Sequence, residues 1–362
     1  MDRRKFLQTA GIGAATATIA GPALAQGQPE IKWRMPSSYP KSLDTLFGSG
    51  TLVARRVAEL TDGKFQIRHF AAGELVPGLQ VFDAVRDGTV ECGQSVSYYY
   101  VGMDETFAFE TALPFGLNAR QQNAWLYHGG GLELLRDFYK GYNVINFPAG
   151  NTGAQMGGWF RKEIKTPEDL KGLKMRIAGM AGRVLQEMGA VPQQLAGPDI
   201  YPALEKGALD AAEWVGPYDD EKLGFHKVAK YYYYPGFWEG GPTVSLYVNL
   251  DQWNALPKLY QSAFEVACAE ANLDMQAKYD VLNIASLKRL VGAGAELRAF
   301  PRPVMQQAQA IAFRLYDEIA ARNPRFAKVY GPWRAFRDDV HLWFKAAEFN
   351  FDDFVLRNPV RK

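Results

Sequence analysis

The sequence predicts an α/β protein of about two domains with a helical C-terminal part. Three observations predict it. Short apolar runs alternate with stretches of helical periodicity. The 362 residues exceed one domain at roughly 150 residues each. A content that is 48% hydrophobic and 13% aromatic supplies packed cores and argues against disorder. With 41 Lys+Arg against 39 Asp+Glu, nothing points to nucleic acid as a partner. Two cysteines are too few for an iron–sulfur cluster, a thiolate zinc site or a disulfide scaffold.

The formal charge of +2 lies wholly in Asp2, Arg3, Arg4 and Lys5, the charged residues before Pro29. This basic start, a weakly apolar Ala/Gly/Thr stretch and Ala23-Leu24-Ala25 read as a cleavable export signal over 1–25. The paired arginines resemble the twin-arginine signal, with the mature protein starting at Gln26 in the periplasm. A membrane anchor is the alternative, but Gln8 and the many Gly and Thr leave far fewer than the ~20 apolar residues of a span. Proteins on that route fold before export, so Cys92 and Cys268 are read as buried free thiols, a single disulfide being the alternative. Without its signal the chain has no formal net charge, and so no long-range monopole to steer a charged partner.

Ile31–Met35 alternates as a first strand, residues 43–61 read as a helix, and Phe65–Phe70 follow the turn Thr61-Asp62-Gly63 as a second strand. Helical periodicity returns at Leu79–Arg86, Thr89–Ser97 resumes a strand, and an apolar run covers 143–149. Thr166-Pro167-Glu168-Asp169 starts a short helix that ends at Gly172. In the strand 173–177, Leu173, Met175 and Ile177 share one face, and Lys174 and Arg176 the other. Arg176 falls at the strand's carboxyl end, where α/β sheets collect ligands. From Pro257 to about Leu290, Tyr260, Phe264, Ala267, Ala271, Met275, Tyr279 and Leu282 recur at helical steps, forming a helix of roughly 50 Å that could serve as a spine. The C-terminal part is helical and aromatic, with Trp333, Phe336, Trp343, Phe344, Phe349, Phe351 and Phe354. It packs on its own subunit or on a second one, since so large an apolar surface is rarely left exposed.

Enzyme signatures fail one by one. His128-Gly129-Gly130-Gly131 matches an oxyanion-hole tetrapeptide, but no Gly-x-Ser-x-Gly elbow accompanies it, so these glycines are read as a turn between helices. The four histidines are scattered, and neither phosphate-loop nor dinucleotide glycine pattern is complete. Aromatic and hydrogen-bonding residues instead concentrate in Gln94–Tyr100, Gly150–Trp159 and Asp210–Gly241. Together with Arg176 they favour a small polar pocket walled by aromatics over three independent core strands. Asn151 and Gln155, four apart, would share one face of an extended segment.

Over nearly all of its mature length the chain resembles the solute receptors of tripartite ATP-independent periplasmic (TRAP) transporters. General marks are Pro167–Arg176 and Tyr201–Asp210. Pro40-Lys41-Ser42-Leu43-Asp44-Thr45, Gly73–Gln80, Gly150–Trp159 and above all Glu213–Lys222 resemble the 2-oxo acid subgroup. The resemblance implies a two-lobed periplasmic-binding-protein fold with a spine helix, divided as 26–150 and 151–239, with 240–300 returning to the first lobe and 301–362 as C-terminal helices. It implies a non-enzymatic receptor for a small 2-oxo monocarboxylate, a membrane transporter as partner, and a homodimer exchanging its C-terminal helix. Arg176 would pair with the carboxylate; Gln155 and Glu213, with the Trp214 carbonyl, would hold sodium, calcium or another cation. Asn151, Tyr99, Ser95 and Glu239 would complete the pocket. The chain departs from the subgroup within Gln94–Tyr100, a segment that bears on ligand size. A 2-hydroxy acid or C4-dicarboxylate is the other ligand class, and an exported hydrolase or lyase the other kind of protein.

Overall fold

A computed structural model describes residues 28–359, so the export signal lies outside the described residues. Strand β1 (Ile31–Pro36) buries Trp33 and Met35 and exposes Lys32 and Arg34, as its alternation requires. It pairs in parallel with β2 (Phe65–Phe70), which needs a crossover, supplied by α1 (Leu46–Leu60) with Leu46, Val53 and Val57 buried. After α2 (Val81–Arg86), β3 (Cys92–Ser95) is fully buried and shorter than the expected 89–97. The reason is local. The hydroxyls of Ser97 and Thr111 bond each other at 2.8 Å, and Thr111 also accepts from the Ser97 amide. These bonds draw Ser97–Tyr100 into a 3₁₀ turn, which presents the three tyrosines in place of a strand.

The short α3 (Ala108–Thr111) precedes α4 (Ala119–His128) and α5 (Gly131–Lys140), joined through Gly130 at φ 79°. The turn reading of these glycines is the one the backbone supports. Strand β4 (Val144–Asn151) then runs beside β10 (Thr243–Asn249), which separates it from β3 in an antiparallel sheet. A Ser37–Gln94 bridge joins this sheet to β1. Under it, the Glu110 carboxylate is wholly enclosed and accepts from Asn146, Ser245, Tyr139 and Tyr247.

The second sheet has six strands in the order β11-β9-β5-β8-β6-β7. These are β5 (Gly158–Phe160), β6 (Lys174–Arg176), β7 (Val191–Gln193), β8 (Ala211–Ala212), β9 (Tyr231–Tyr234) and β11 (Glu296–Ala299). Around them lie α6 (Gly179–Glu187), α7 (Gly197–Glu205) and α8 (Pro217–Leu223). The helix expected at 167–170 is a single 3₁₀ turn.

Two connections cross between the lobes, at 151–157 and 235–242, and the short α9 (Leu250–Ala255) leads into the spine. Helix α10 (Lys258–Gly292) buries Tyr260, Phe264, Ala267 and Ala271 in the first lobe, and Met275, Tyr279 and Leu290 in the main core beyond. It packs on α1 and β4 at one end and α8 at the other, so one helix spans both lobes. The segment 240–300 is therefore divided. Strand β10 returns to the first lobe, whereas β11 pairs with β9 at the edge of the second sheet.

Helix α11 (Arg302–Arg322) lies on α6, and α12 (Pro324–Phe344) turns back onto α4 and α5. A π-helical turn at Lys345–Phe349 leads into α13 (Asn350–Arg357). Trp333 is buried, while Trp343, Phe349, Phe351 and Phe354 are exposed. Cys92 and Cys268 are free, buried thiols in one apolar cluster. No described helix is long and apolar enough to cross a membrane.

Candidate ligand and cation site

Strand β6 ends at Arg176, and its parallel pairing with β8 aligns Arg176 with Ala212. The next residue, Glu213, donates its amide to the Arg176 carbonyl, so the two side chains leave neighbouring strand ends together. Arg176 Nη1 donates to Glu213 Oε1 at 2.5 Å and to the Glu213 carbonyl at 2.8 Å; Nε donates to the Leu195 carbonyl at 3.2 Å. Its other nitrogen reaches the Tyr99 hydroxyl of the opposite lobe at 3.5 Å, and the guanidinium lies 4.9 Å from the Trp214 ring centre. Neither side chain is more than 1% exposed.

A lone charge so enclosed would cost several kcal/mol, and the pair is tolerated because each charge answers the other. Burial works against the charged guanidinium, but Glu213 outweighs it and the Arg176 pKa rises. Burial also raises the Glu213 carboxyl, which Arg176 offsets only in part.

Beside this pair runs the connection from β4. Asn151 Oδ1 accepts from the Gly153 amide at 2.9 Å, and Nδ2 donates to the Gly241 carbonyl at 3.0 Å. With Gly153 at φ 70° the segment is kinked, so Asn151 and Gln155 do not share one face of an extended chain. That geometric expectation is corrected: Asn151 spends its amide bracing the two interlobe connections. The Gln155 amide bonds the Glu239 carbonyl and the Met156 amide the Val215 carbonyl, which seats Gln155 next to Trp214. Gln155 Nε2 donates to Thr152 Oγ1 at 3.1 Å.

Among the buried oxygens without a hydrogen-bond partner are three of this site, Gln155 Oε1, Glu213 Oε2 and Glu239 Oε2. All are acceptors, and a buried acceptor without a donor is costly. Hard cations take oxygen ligands, so an amide oxygen and a carboxylate oxygen left open here fit a cation. Burial, reinforced by Glu213, pushes the Glu239 carboxyl well up.

The cavity above these groups is lined by Tyr99, Thr152, Gln155 and Trp214 on its polar side and by Leu46, Val96 and Val244 on its apolar side. Its free interior is about 20 Å³, room for little more than a water molecule. A solute larger than water therefore needs the cavity to widen before it can enter. A larger hollow of about 350 Å³, lined by Tyr127, Arg136, Glu265 and Val266, lies away from the Arg176–Glu213 pair.

The fold thus brings Arg176, Glu213, Gln155, Trp214 and Tyr99 together, with Glu239 behind Gln155. Ser95 does not face the cavity. Its oxygen accepts from Ser38 at 2.6 Å and from Tyr100 at 2.9 Å inside the first lobe. Sequence reasoning missed Thr152, although it lay in the polar segment 150–159, and Tyr39, which lines the cavity just before the Pro40–Thr45 block.

The bacterial extracellular solute-binding protein family 7 matches residues 37–323. A monocarboxylate 2-oxoacid-binding periplasmic protein of Nostoc sp. is 53% identical over 361 residues, 98% of this chain and 99% of its own length. A TRAP transporter solute-binding protein of Bordetella bronchiseptica is 51% identical, with TM-score 0.90 over 91% of this chain and 98% of that one. Its crystal held a mixed-occupancy dimer, one site with copurified calcium and picolinate and the other apo. The counterpart from Pseudoalteromonas atlantica, solved with sodium and pyruvate, is 39% identical with TM-score 0.87 over 90% of this chain and 99% of that one. This chain belongs to that family, the solute receptors of TRAP transporters, which are binding proteins and not enzymes.

Proposed function

We propose that this receptor captures a small 2-oxo monocarboxylate of the pyruvate class together with sodium or calcium. The observation that carries the reading is one buried guanidinium beside two unpartnered buried oxygens, Gln155 Oε1 and Glu213 Oε2. Arg176 would turn its planar donor fork to the ligand carboxylate, a geometry lysine cannot copy. Gln155, Glu213 and the Trp214 carbonyl would hold the cation, which neutralises Glu213 once Arg176 is engaged elsewhere. Tyr99 would donate to the ligand from the opposite lobe, so that binding favours closure. Glu239 would act at longer range, Asn151 as a brace, and Ser95 through the packing of the first lobe.

The Nostoc relative's name, and the relatives solved with pyruvate beside sodium or calcium, support the same ligand class. A C4-dicarboxylate would need a second cationic side chain, and among the described residues Arg176 is the one that contacts Tyr99, Glu213 and Trp214. Delivery would be to the membrane subunits of a TRAP transporter from the periplasm, after export by the twin-arginine route. A homodimer exchanging its C-terminal helix is part of the proposal, because Trp343, Phe351, Phe354 and Leu356 are each more than 60% exposed. Light scattering of the purified protein tests the dimer.

Titration calorimetry with pyruvate, longer 2-oxo acids and a C4-dicarboxylate, each with and without sodium, tests the ligand. Cation-dependent binding of the 2-oxo acids is expected. Failure of every carboxylate to bind would overturn the reading.

A further inference from the structure

Away from the cavity, charged groups of both lobes meet around Glu105. This residue opens the 3₁₀ turn Glu105–Phe107 of the first lobe, and its side chain is 10% exposed. Arg183, on α6 of the second lobe, donates to Glu105 Oε1 at 2.8 Å. Arg322 donates to the same oxygen at 2.6 Å, and Asn323 donates to Oε2 at 3.0 Å and to Asp104 Oδ1 at 2.9 Å. Both come from the corner between α11 and α12, and Arg325 adds a contact to Asp104 at 3.6 Å. Burial raises the Glu105 carboxyl, but its hydrogen bonds prevail and bring it down to about 2.

The roles within this node differ. Asn323 caps α12, which packs on the first lobe, so it holds Glu105 independently of the second lobe, whereas Arg322 ends α11, which also lies on α6. Arg183 belongs to the other body, on a helix that begins three residues after Arg176. That helix meets the first lobe near the site. A Cβ at Gly179 would lie 3.0 Å from Tyr98, and Gln194 donates to the Tyr99 carbonyl at 3.0 Å. Parting the lobes separates Arg183 from Glu105 and Tyr99 from Arg176 in one movement.

We propose that Glu105 and Arg183 form a rim latch that completes on closure and slows ligand release, making them positioning residues for binding. The inference rests on the receptor reading. An exposed ion pair contributes little, but this one is partly buried and its carboxylate is pre-oriented by two further donors.

The test is stopped-flow binding of pyruvate at fixed sodium, with ionic strength raised by choline chloride. Arg183→Gln should release pyruvate about three- to tenfold faster at low ionic strength, with the association rate and the ligand-free Tm unchanged. Arg183→Lys should restore most of the slow release. The difference should shrink below about twofold near 0.5 M salt, as screening takes over. Equal release rates for wild type and Arg183→Gln would overturn the latch, as would a matching fall in ligand-free Tm. Failure of the wild type to bind any 2-oxo acid would overturn the receptor reading itself, a separate outcome.

Discussion

Arg176 and Glu213 neutralise each other at 2.5 Å in a place closed to solvent. A carboxylate that takes over Arg176 leaves Glu213 uncompensated, and a cation that takes over Glu213 frees Arg176. Under the proposed function each ligand thus lowers the cost of binding the other. Removing sodium, and calcium by chelation, should weaken pyruvate at least about tenfold, which corresponds to about 1.4 kcal/mol of coupling. Saturating pyruvate should tighten the cation by the same factor. Calorimetry in both directions checks the reciprocity, and equal pyruvate affinity with and without cation would remove Glu213 and Gln155 from the site.

Arg176→Lys should weaken pyruvate binding by more than about tenfold, because an ammonium lacks the planar fork that can face a carboxylate while Nε and Nη1 hold the Leu195 and Glu213 carbonyls. Stability is a separate readout. Arg176→Ala strands Glu213 in the interior and should lower Tm, while adding Glu213→Gln should recover Tm without recovering binding. Parallel recovery of both would make the pair structural.

Much of this was legible in the sequence because it rests on local chemistry. Period-two alternation marked Trp33 and Met35 as inward, and helical steps traced the spine through Tyr260 to Tyr279. Arg176 stood out as the polar residue at a strand's carboxyl end. Local periodicity failed where a side chain overrides the backbone. The Ser97–Thr111 hydroxyl pair ends β3 early, and the Asn151 turn at Gly153 kinks what reads as extended chain. Nor could spacing show Arg183 meeting Glu105, or Arg176 meeting Glu213, since the first pairing, 78 residues apart, is made by packing between lobes and the second, 37 apart, by sheet order.

The acids of α8 set an unusual pH dependence. Burial lifts Asp219 to about 6, although Tyr279 and Thr45 donate to it and Lys222 lies near. A folded-state pKa above the unfolded one means that the native state binds more protons. The Asp219 contribution to stability is therefore fullest below about 4 and is lost as pH rises to about 6, by at most about 3 kcal/mol. Glu105 acts with the opposite sign, losing stability as pH falls below about 4.5. Tm should thus peak in mildly acid solution, and Asp219→Asn should flatten its decline between about pH 4 and 6. An unchanged slope in the variant would exonerate Asp219.

Cys92 and Cys268 are free, and burial pushes both thiols well above their ordinary range. A buried thiol that is not ionised is a poor nucleophile. Ellman's reagent should label neither in the folded protein and both after denaturation without reductant. No labelling after denaturation would mean that they are oxidised to a disulfide.

Gly158 gives the sharpest test of how the backbone builds the site. It opens β5 at φ 98°, and a Cβ there would lie 2.6 Å from the Ala212 carbonyl oxygen and 2.9 Å from the Glu213 Cα. Both neighbours are backbone, fixed by the pairing of Trp159 with Ala212, so neither can swing aside as a long side chain would. Gly158→Ala meets two costs, a disfavoured φ and a clash transmitted straight to Glu213. It should cost more than about 2 kcal/mol and weaken pyruvate beyond what the unfolded fraction explains. Gly48→Ala is the control. Inside α1, with nothing within 4 Å of its Cβ, it should gain up to about 1 kcal/mol and leave binding unchanged. Denaturant unfolding and calorimetry of the two variants separate the cases. If Gly158→Ala matched Gly48→Ala in both measurements, the close approach of β5 to Glu213 would not be what shapes the cation end of the site.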